Sequence, residues 1–271
     1  MPWSKMKNII LVILAVTNLA LLALVGGHAV QSRRQLGRAR EESIQFLRNR
    51  GVEVDESLIP QSMELLPQTV ERDLEGEARA AAALLDGPVS AEARGGEVYR
   101  YFNANGSIQF HNDGTLSAQL EEGVFPAGGD RAAGCAAFMA RMGFQGTVLD
   151  EAEDEFIFRQ TWEGIPLFTQ QVTLVCQGEN VIAIAAGRQL VGSPQTDTAR
   201  ETITVATALI NFFNGVGALG DVCNRIDAIE PGYVAAASLS GPITLTPVWR
   251  VTTDTGAYQL DTVTGAVVRV S

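Results

Sequence analysis

Between Ile9 and Val25 the chain reads IILVILAVTNLALLALV without a charge, and the uncharged stretch runs on to Ser32. A bilayer core needs roughly 20 mostly apolar residues to be crossed by a helix, so this run predicts a single membrane anchor with everything after it held at one face of the bilayer. A secretory signal peptide is the alternative, because Gly27 and Ala29 stand at −3 and −1 of a cleavage site after Ala29. The apolar run exceeds the usual length of a signal-peptide core, which favours an uncleaved anchor. Lys5 and Lys7 precede the run and an arginine cluster follows it. The flank after the segment is the richer in positive charge, and the positive-inside rule taken alone puts the body in the cytoplasm. Thr17 and Asn18 are the polar residues of the segment. One turn of helix tolerates them, or they contact a partner helix, where a polar group gains from leaving lipid.

Charge divides the chain. The formal net charge is −11, and residues 1–50 set eight Lys and Arg against Glu41 and Glu42, which is +6 and leaves −17 for the rest. An acidic body excludes nucleic acid as a partner class, because phosphate contacts need clustered Lys and Arg. The basic start suits an anionic membrane surface. Cys135, Cys176 and Cys223 are widely spaced and lack CxxC or histidine companions, which argues against zinc. They read as buried apolar residues, with one disulfide plus one free thiol as the alternative.

Along the body the hydrophobic period alternates between helix and strand. Gln35–Arg50 is charged and periodic, with Leu36, Ile44 and Leu47 on one stripe, and it stops at Gly51. VEVDESLIP is a short extended piece, VERDLEGEARAAAALLDG a helix, and PVSAEARGG a loop. From Glu97 the sequence alternates apolar and polar residues, with turns at Asn105-Gly106 and Asp113-Gly114. A short helix at DRAAGCAAFMARMGF, despite Gly134, leads into strands up to Gly192. Thr204 then caps a second helix with Ala206, Leu209, Ile210 and Phe213 as its apolar face. The closing strands follow, and in them Trp249 and Val251 face away from Val248, Arg250 and Thr252. Trp249 is expected to pack on the helix carrying Leu209 and Phe213.

A helix followed by antiparallel strands thus occurs twice, and two such units can cover each other's sheets. The expected class is α+β: an N-terminal transmembrane helix, then tandem helix-plus-antiparallel-sheet units. The boundaries are 1–32 for the anchor, 33–96 for a membrane-proximal helical region, and 97–198 and 199–271 for the two units.

Catalytic patterns are absent from the sequence. It has two histidines and no HExxH, GxSxG, GxGxxG or P-loop. His111 reads as a strand or turn residue. The acidic run Asp150–Glu155 lacks the spacing and central glycine of a calcium loop and reads as a solvated hairpin tip. Asn103, Asn105 and Gly106, and Asp261 with Thr264-Gly265, read as turns. No enzyme activity, no cofactor and no metal is expected.

Certain stretches carry a likeness. LTPVWRVTTDTGAYQLDTVTGAVV resembles the closing strands of PepSY-type domains, where a Pro-x-Trp strand precedes a hairpin and a D-x-x-T-G turn. MPWSKMKNIILVILAVTNLALL is similar to the start of proteins of the YycH/YycI group, membrane-anchored regulators of the WalK sensor kinase. RNRGVEVDESLIP, IPLFTQQVTLV and EPGYV resemble further pieces of that group. The resemblance implies a single-pass cell-envelope protein with its body outside the cytoplasm, opposite to the charge count. Its implied partners are the membrane, a sensor histidine kinase and a related YycH-type regulator, and it implies no catalytic residues. A module that binds a peptide or cell-wall ligand at a sheet edge is the second reading.

Overall fold

The computed structural model describes Leu14, Thr17, Asn18, 31–237 and 241–270. Most of the Ile9–Val25 segment therefore lies outside the described residues. Among the described residues no helix is long and apolar enough to cross a membrane.

Helix α1, described over 31–49, starts as an exposed rod and becomes half-buried from Arg40 onward. Ile44 and Leu47 of its predicted stripe are buried, but Leu36 is 49% exposed, because that end of the helix stands clear of the body. After α1 come β1 (Glu53–Val54), a 3-10 turn (Glu56–Leu58) and β2 (Gln68–Val70). Asp73 caps α2 (Leu74–Leu84) by accepting from the Gly76 N–H at 2.8 Å.

An eight-stranded antiparallel sheet follows. Its strands are β3 (Ser90–Gly95), β4 (Val98–Asn103), β5 (Gly106–Phe110), β6 (Thr115–Leu120), β7 (Gly146–Glu151), β8 (Glu155–Trp162), β9 (Ile165–Gln177) and β10 (Asn180–Arg188). They lie in the order β3-β4-β5-β6-β10-β9-β8-β7. The predicted turns at Asn105-Gly106 and Asp113-Gly114 join β4 to β5 and β5 to β6. Helix α3 (Arg131–Arg141) packs with α2 over one face of this sheet, burying Leu84, Cys135, Phe138 and Met139 against Ile108, Phe158 and Leu174. Gly134 belongs here for a reason beyond propensity. A Cβ on it would overlap the carbonyl of Ala127.

The expected loop at 88–96 is strand β3 instead. Every residue of β3 is exposed, so neither face carries the apolar alternation that marks a strand in sequence. Pairing with β4 alone defines it, and its charged outer edge discourages another chain from adding there.

The second sheet uses both ends of the described chain. Short β11 (Pro194–Thr196) pairs with β2. Helix α4 (Val205–Ala218) is capped by Thr204, whose Oγ1 accepts from the Thr207 N–H at 3.2 Å. Strands β12 (Arg225–Ala236), β13 (Ile243–Thr253), β14 (Gly256–Asp261) and β15 (Val267–Val270) form the closing meander. β1 pairs in parallel with the start of β12.

Helices α1 and α4 lie on the face of Trp249 and Val251, and their Phe46 and Phe213 rings meet edge to face at 5.8 Å. Trp249 is 3% exposed and shares a core with Leu209, as its strand position predicted. The buried face of α4 is Val205, Ala208, Leu209, Phe212 and Val216, rotated from the predicted one, and Ile210 is 39% exposed. This helix is apolar nearly all round, so its period does not single out a face. Residues 33–96 divide between the two cores, α1 and β1 joining the second and α2 the first.

The sheets meet at one parallel pair, Leu167 with Tyr233. Gly232 permits the approach, since a Cβ there would stand 2.6 Å from Cε2 of Phe168 and 2.7 Å from the Pro166 carbonyl. A small cluster of Val70, Leu167, Leu190, Tyr233 and Leu245 fills the joint, and the Tyr233 hydroxyl donates to the Leu66 carbonyl at 3.0 Å. The architecture is a mixed α+β fold with helices gathered on one face of each sheet.

Candidate functional site

The residue that fixes α1 to the body is Arg40, 6% exposed and paired with no carboxylate among the described residues. Its Nε donates to the Pro60 carbonyl at 3.1 Å, and its Nη2 donates to the carbonyls of Glu56 and Ile59 at 2.9 and 2.8 Å. Burying a guanidinium is costly, and three carbonyl dipoles replace the water it loses. Nearby, Arg48 donates to the Glu56 carboxylate at 2.9 Å and to the Val54 carbonyl at 3.2 Å. These contacts hold the 54–60 segment against α1.

That segment leads into one wall of an apolar groove of ≈320 Å³. Met63 and Leu65 of this stretch line it together with Ile165, Pro231, Pro247 and Trp249. The groove opens where β13 changes partner, from β2 at Ile243–Leu245 to β14 at Val248–Thr253. Pro247 stands between the two ladders and has no N–H to give, while its carbonyl takes the Thr262 Oγ1 and N–H at 2.7 and 3.1 Å. Pro231 of β12 is the register partner of Trp249 in β13. Such a recess can seat an aliphatic or aromatic side chain, with Ser62 and Glu64 as exposed polar neighbours.

On the opposite face of β13, Arg250 lies 4.5 Å from the Phe168 ring centre, and Arg159 lies 5.4 Å from it. The Nε of each is buried without a partner among the described residues. The Arg250 pKa is pushed down by burial and then by the Arg159 charge, with Glu230 acting the other way. Two half-buried cations with spare donors suit an anionic oxygen.

The other residues singled out in the sequence fall as follows. His111 lines a recess of ≈20 Å³ with Glu71, Arg72 and Glu77, but Arg72 grips both oxygens of Glu77 at 2.7 and 3.0 Å, which makes this an ion-pair lock. The acidic run is the exposed tip between β7 and β8, where Asp154 pairs with Arg131 at 2.9 Å. Asn103 and Asn105 donate to the Leu85 carbonyl at 3.1 and 2.8 Å, tying the β4–β5 turn to the end of α2. Asp261 accepts from the Val263 and Thr264 N–H groups at 2.7 and 2.9 Å, a tight turn. Among the described residues no three His, Cys, Asp or Glu side chains gather as a metal site. Thr17 and Asn18 are helical and exposed, and neither lines the groove.

Sequence reasoning missed Arg40 and the groove. Prolines inside two strands were the available signal, since proline interrupts a ladder wherever it falls.

No family profile matches the chain, and neither does any curated protein. Several solved structures overlap it, among them two that do so over most of its length. An uncharacterized protein from Eubacterium rectale ATCC 33656 is 14% identical, with 81% of this chain and 90% of that one covered and a TM-score of 0.38. The C-terminal domain of YpeB from Bacillus megaterium is 12% identical, with 74% and 99% covered and a TM-score of 0.38. Overlap as loose as this carries no inference about activity or partners.

Proposed function

We propose that this chain is a membrane-anchored regulatory protein that modulates a two-component sensor histidine kinase. In this reading Ile9–Val25 is the anchor, the body lies outside the cytoplasm, and tandem PepSY-like units present its surfaces. It acts by contact and not by catalysis, alongside a related YycH-type regulator. One observation carries the reading: α1, helical from residue 31, is latched into the second core by Arg40 and Phe46. A displacement of the anchor-side helix is therefore handed to the body, which a flexible tether would absorb.

The test is purification of the full-length protein from solubilised membranes with mass spectrometry of what accompanies it. A sensor kinase is the expected companion, and Asn18→Leu at matched expression is expected to reduce its recovery, since an amide in lipid gains about 0.5–2 kcal/mol from a partner helix. Recovery of no kinase overturns the reading. Alkaline phosphatase fused after Ser271 is expected to be active, and an inactive fusion places the body on the other side.

The groove favours a second reading, an envelope module that binds a peptide or cell-wall ligand beside a sheet edge. Met63→Asp is expected to abolish such binding and leave kinase recovery intact.

A further inference from the structure

We infer that Cys135 and Cys176 are a disulfide-forming pair that staples α3 to β9. Their Sγ atoms are 3.4 Å apart. Cys135 lies one turn before Met139 on the buried face of α3, and Cys176 lies near the end of β9 opposite Val181. Both belong to the first core, at 0% and 2% exposure. Cys223 belongs to the second core, where its Sγ contacts the Arg225 carbonyl at 3.7 Å, so it has no part in the pair. A disulfide needs the sulfurs at about 2.05 Å, so the two sulfurs must close a gap of little more than an ångström.

The chemistry is a thiol–disulfide exchange. One thiol loses its proton, and the thiolate attacks a sulfur of an external disulfide, which expels one external thiolate and leaves a mixed disulfide. The second cysteine, likewise deprotonated, attacks the protein-side sulfur, releases the second external thiol and completes the Cys135–Cys176 bond. The protein loses two hydrogens and two electrons, and the external disulfide gains them. Burial, with Cys176 alongside, pushes the Cys135 pKa well up, so the closed core offers almost no thiolate. The exchange therefore belongs to moments when α3 is lifted from the sheet, during folding or local opening. The pairing rests on geometry alone. That the bond forms in the cell rests also on the body lying outside the cytoplasm, where disulfides persist.

The experiment uses the full-length protein in detergent. It is first reduced, then held with oxidised glutathione in a denaturant concentration just below the unfolding midpoint, so that the core opens transiently. It is then alkylated under denaturing conditions. The expected product has one alkylated thiol, Cys223, and a cross-linked peptide pair containing Cys135 and Cys176. Its melting temperature is expected to rise by about 10 °C over the reduced form, because the staple spans a chain segment of several tens of residues. Cys135→Ala is expected to remove both the cross-link and the rise. Three alkylated thiols, or a cross-link through Cys223, overturn the pairing. A parallel sample alkylated directly in intact cells separates the two claims. A pair that forms in the test tube but is found reduced in cells upholds the pairing and counts against an extracytoplasmic body.

Discussion

Replacing Arg40 by Met keeps the length of the side chain and removes its charge and its donors. Three carbonyls then lose a charge-assisted bond, but not equally. The Glu56 carbonyl keeps the Ile59 N–H at 3.3 Å, and the Pro60 carbonyl is partly open to water. The Ile59 bond is fully buried, and its carbonyl has no second donor among the described residues. An orphaned buried acceptor costs about 1–3 kcal/mol, and bonds from a charged donor contribute roughly 1.5–3 kcal/mol each. Set against this is relief from holding a cation out of water. The net loss is then about 2–4 kcal/mol, or a fall of roughly 5–12 °C in Tm for a body of this size. Arg40→Lys should fall between, because an ammonium is a point charge and cannot fork across three carbonyls. Thermal melts give the total. Hydrogen exchange gives the place: the amides of Val54 and of Leu58–Ile59 should exchange faster while those of β8 and β10 do not change. A Met variant with an unaltered Tm and unaltered exchange at 54–59 would refute the argument, and the rigid link between α1 and the body with it.

Trp249→Ala removes a ring 3% exposed between α1, α4 and the second sheet, and should cost about 3–5 kcal/mol by denaturant titration; an unchanged midpoint would mean that the strand faces are wrong. Gly134→Ala should destabilise, although alanine is the better helix former by about 1 kcal/mol, because its Cβ meets the Ala127 carbonyl; a rise in Tm would show that α3 can shift away. The Asp254 pKa is lowered, chiefly by the Asn224 side-chain amide and further by the Asn224 and Arg225 N–H groups. A lowered folded pKa contributes stability that is present above the unfolded value of about 3.9 and lost as pH falls through the folded one. The stability gap between the parent protein and Asp254→Asn should accordingly be widest near neutrality and close below about pH 4, and a gap independent of pH would rule out this account.

What the sequence made legible followed from periodicity and from turn chemistry. The β4–β5–β6 meander announced itself through alternation and through Asn-Gly and Asp-Gly turns, and α4 through Thr204. Trp249 was placed by strand parity, because side chains of a strand alternate between faces. The failures have equally physical causes. Strand β3 is defined only by hydrogen bonds to β4, which leave no pattern in side chains exposed on both faces. The buried face of α4 is not marked by its period because Val205, Ile210, Phe212 and Phe213 surround the helix with apolar surface. Arg40 looks in sequence like one more member of a basic flank with Arg33, Arg34 and Arg38. Only the fold turns it inward while those three stay exposed. The groove arises between residues more than a hundred positions apart, and Met63 and Trp249 have no local signal that joins them.

The second core is built from α1 and β1 at one end of the body and from α4 and β12–β15 at the other, with the whole first sheet inserted between. This has a consequence for how the chain is made. As the ribosome delivers the chain, α1 emerges early, yet Ile44, Leu47 and Val54 lack most of their core until residues 205–260 appear. The first sheet contains most of its own partners and can close while synthesis continues, since all its pairings except β6 with β10 join strands adjacent in sequence. Helix α1 thus waits, with Ile44 and Leu47 uncovered, for the last strands to arrive. A nascent chain stalled before β12 is expected to present α1 unlatched, and proteolysis of such stalled chains would show the first sheet protected and residues 40–60 cut.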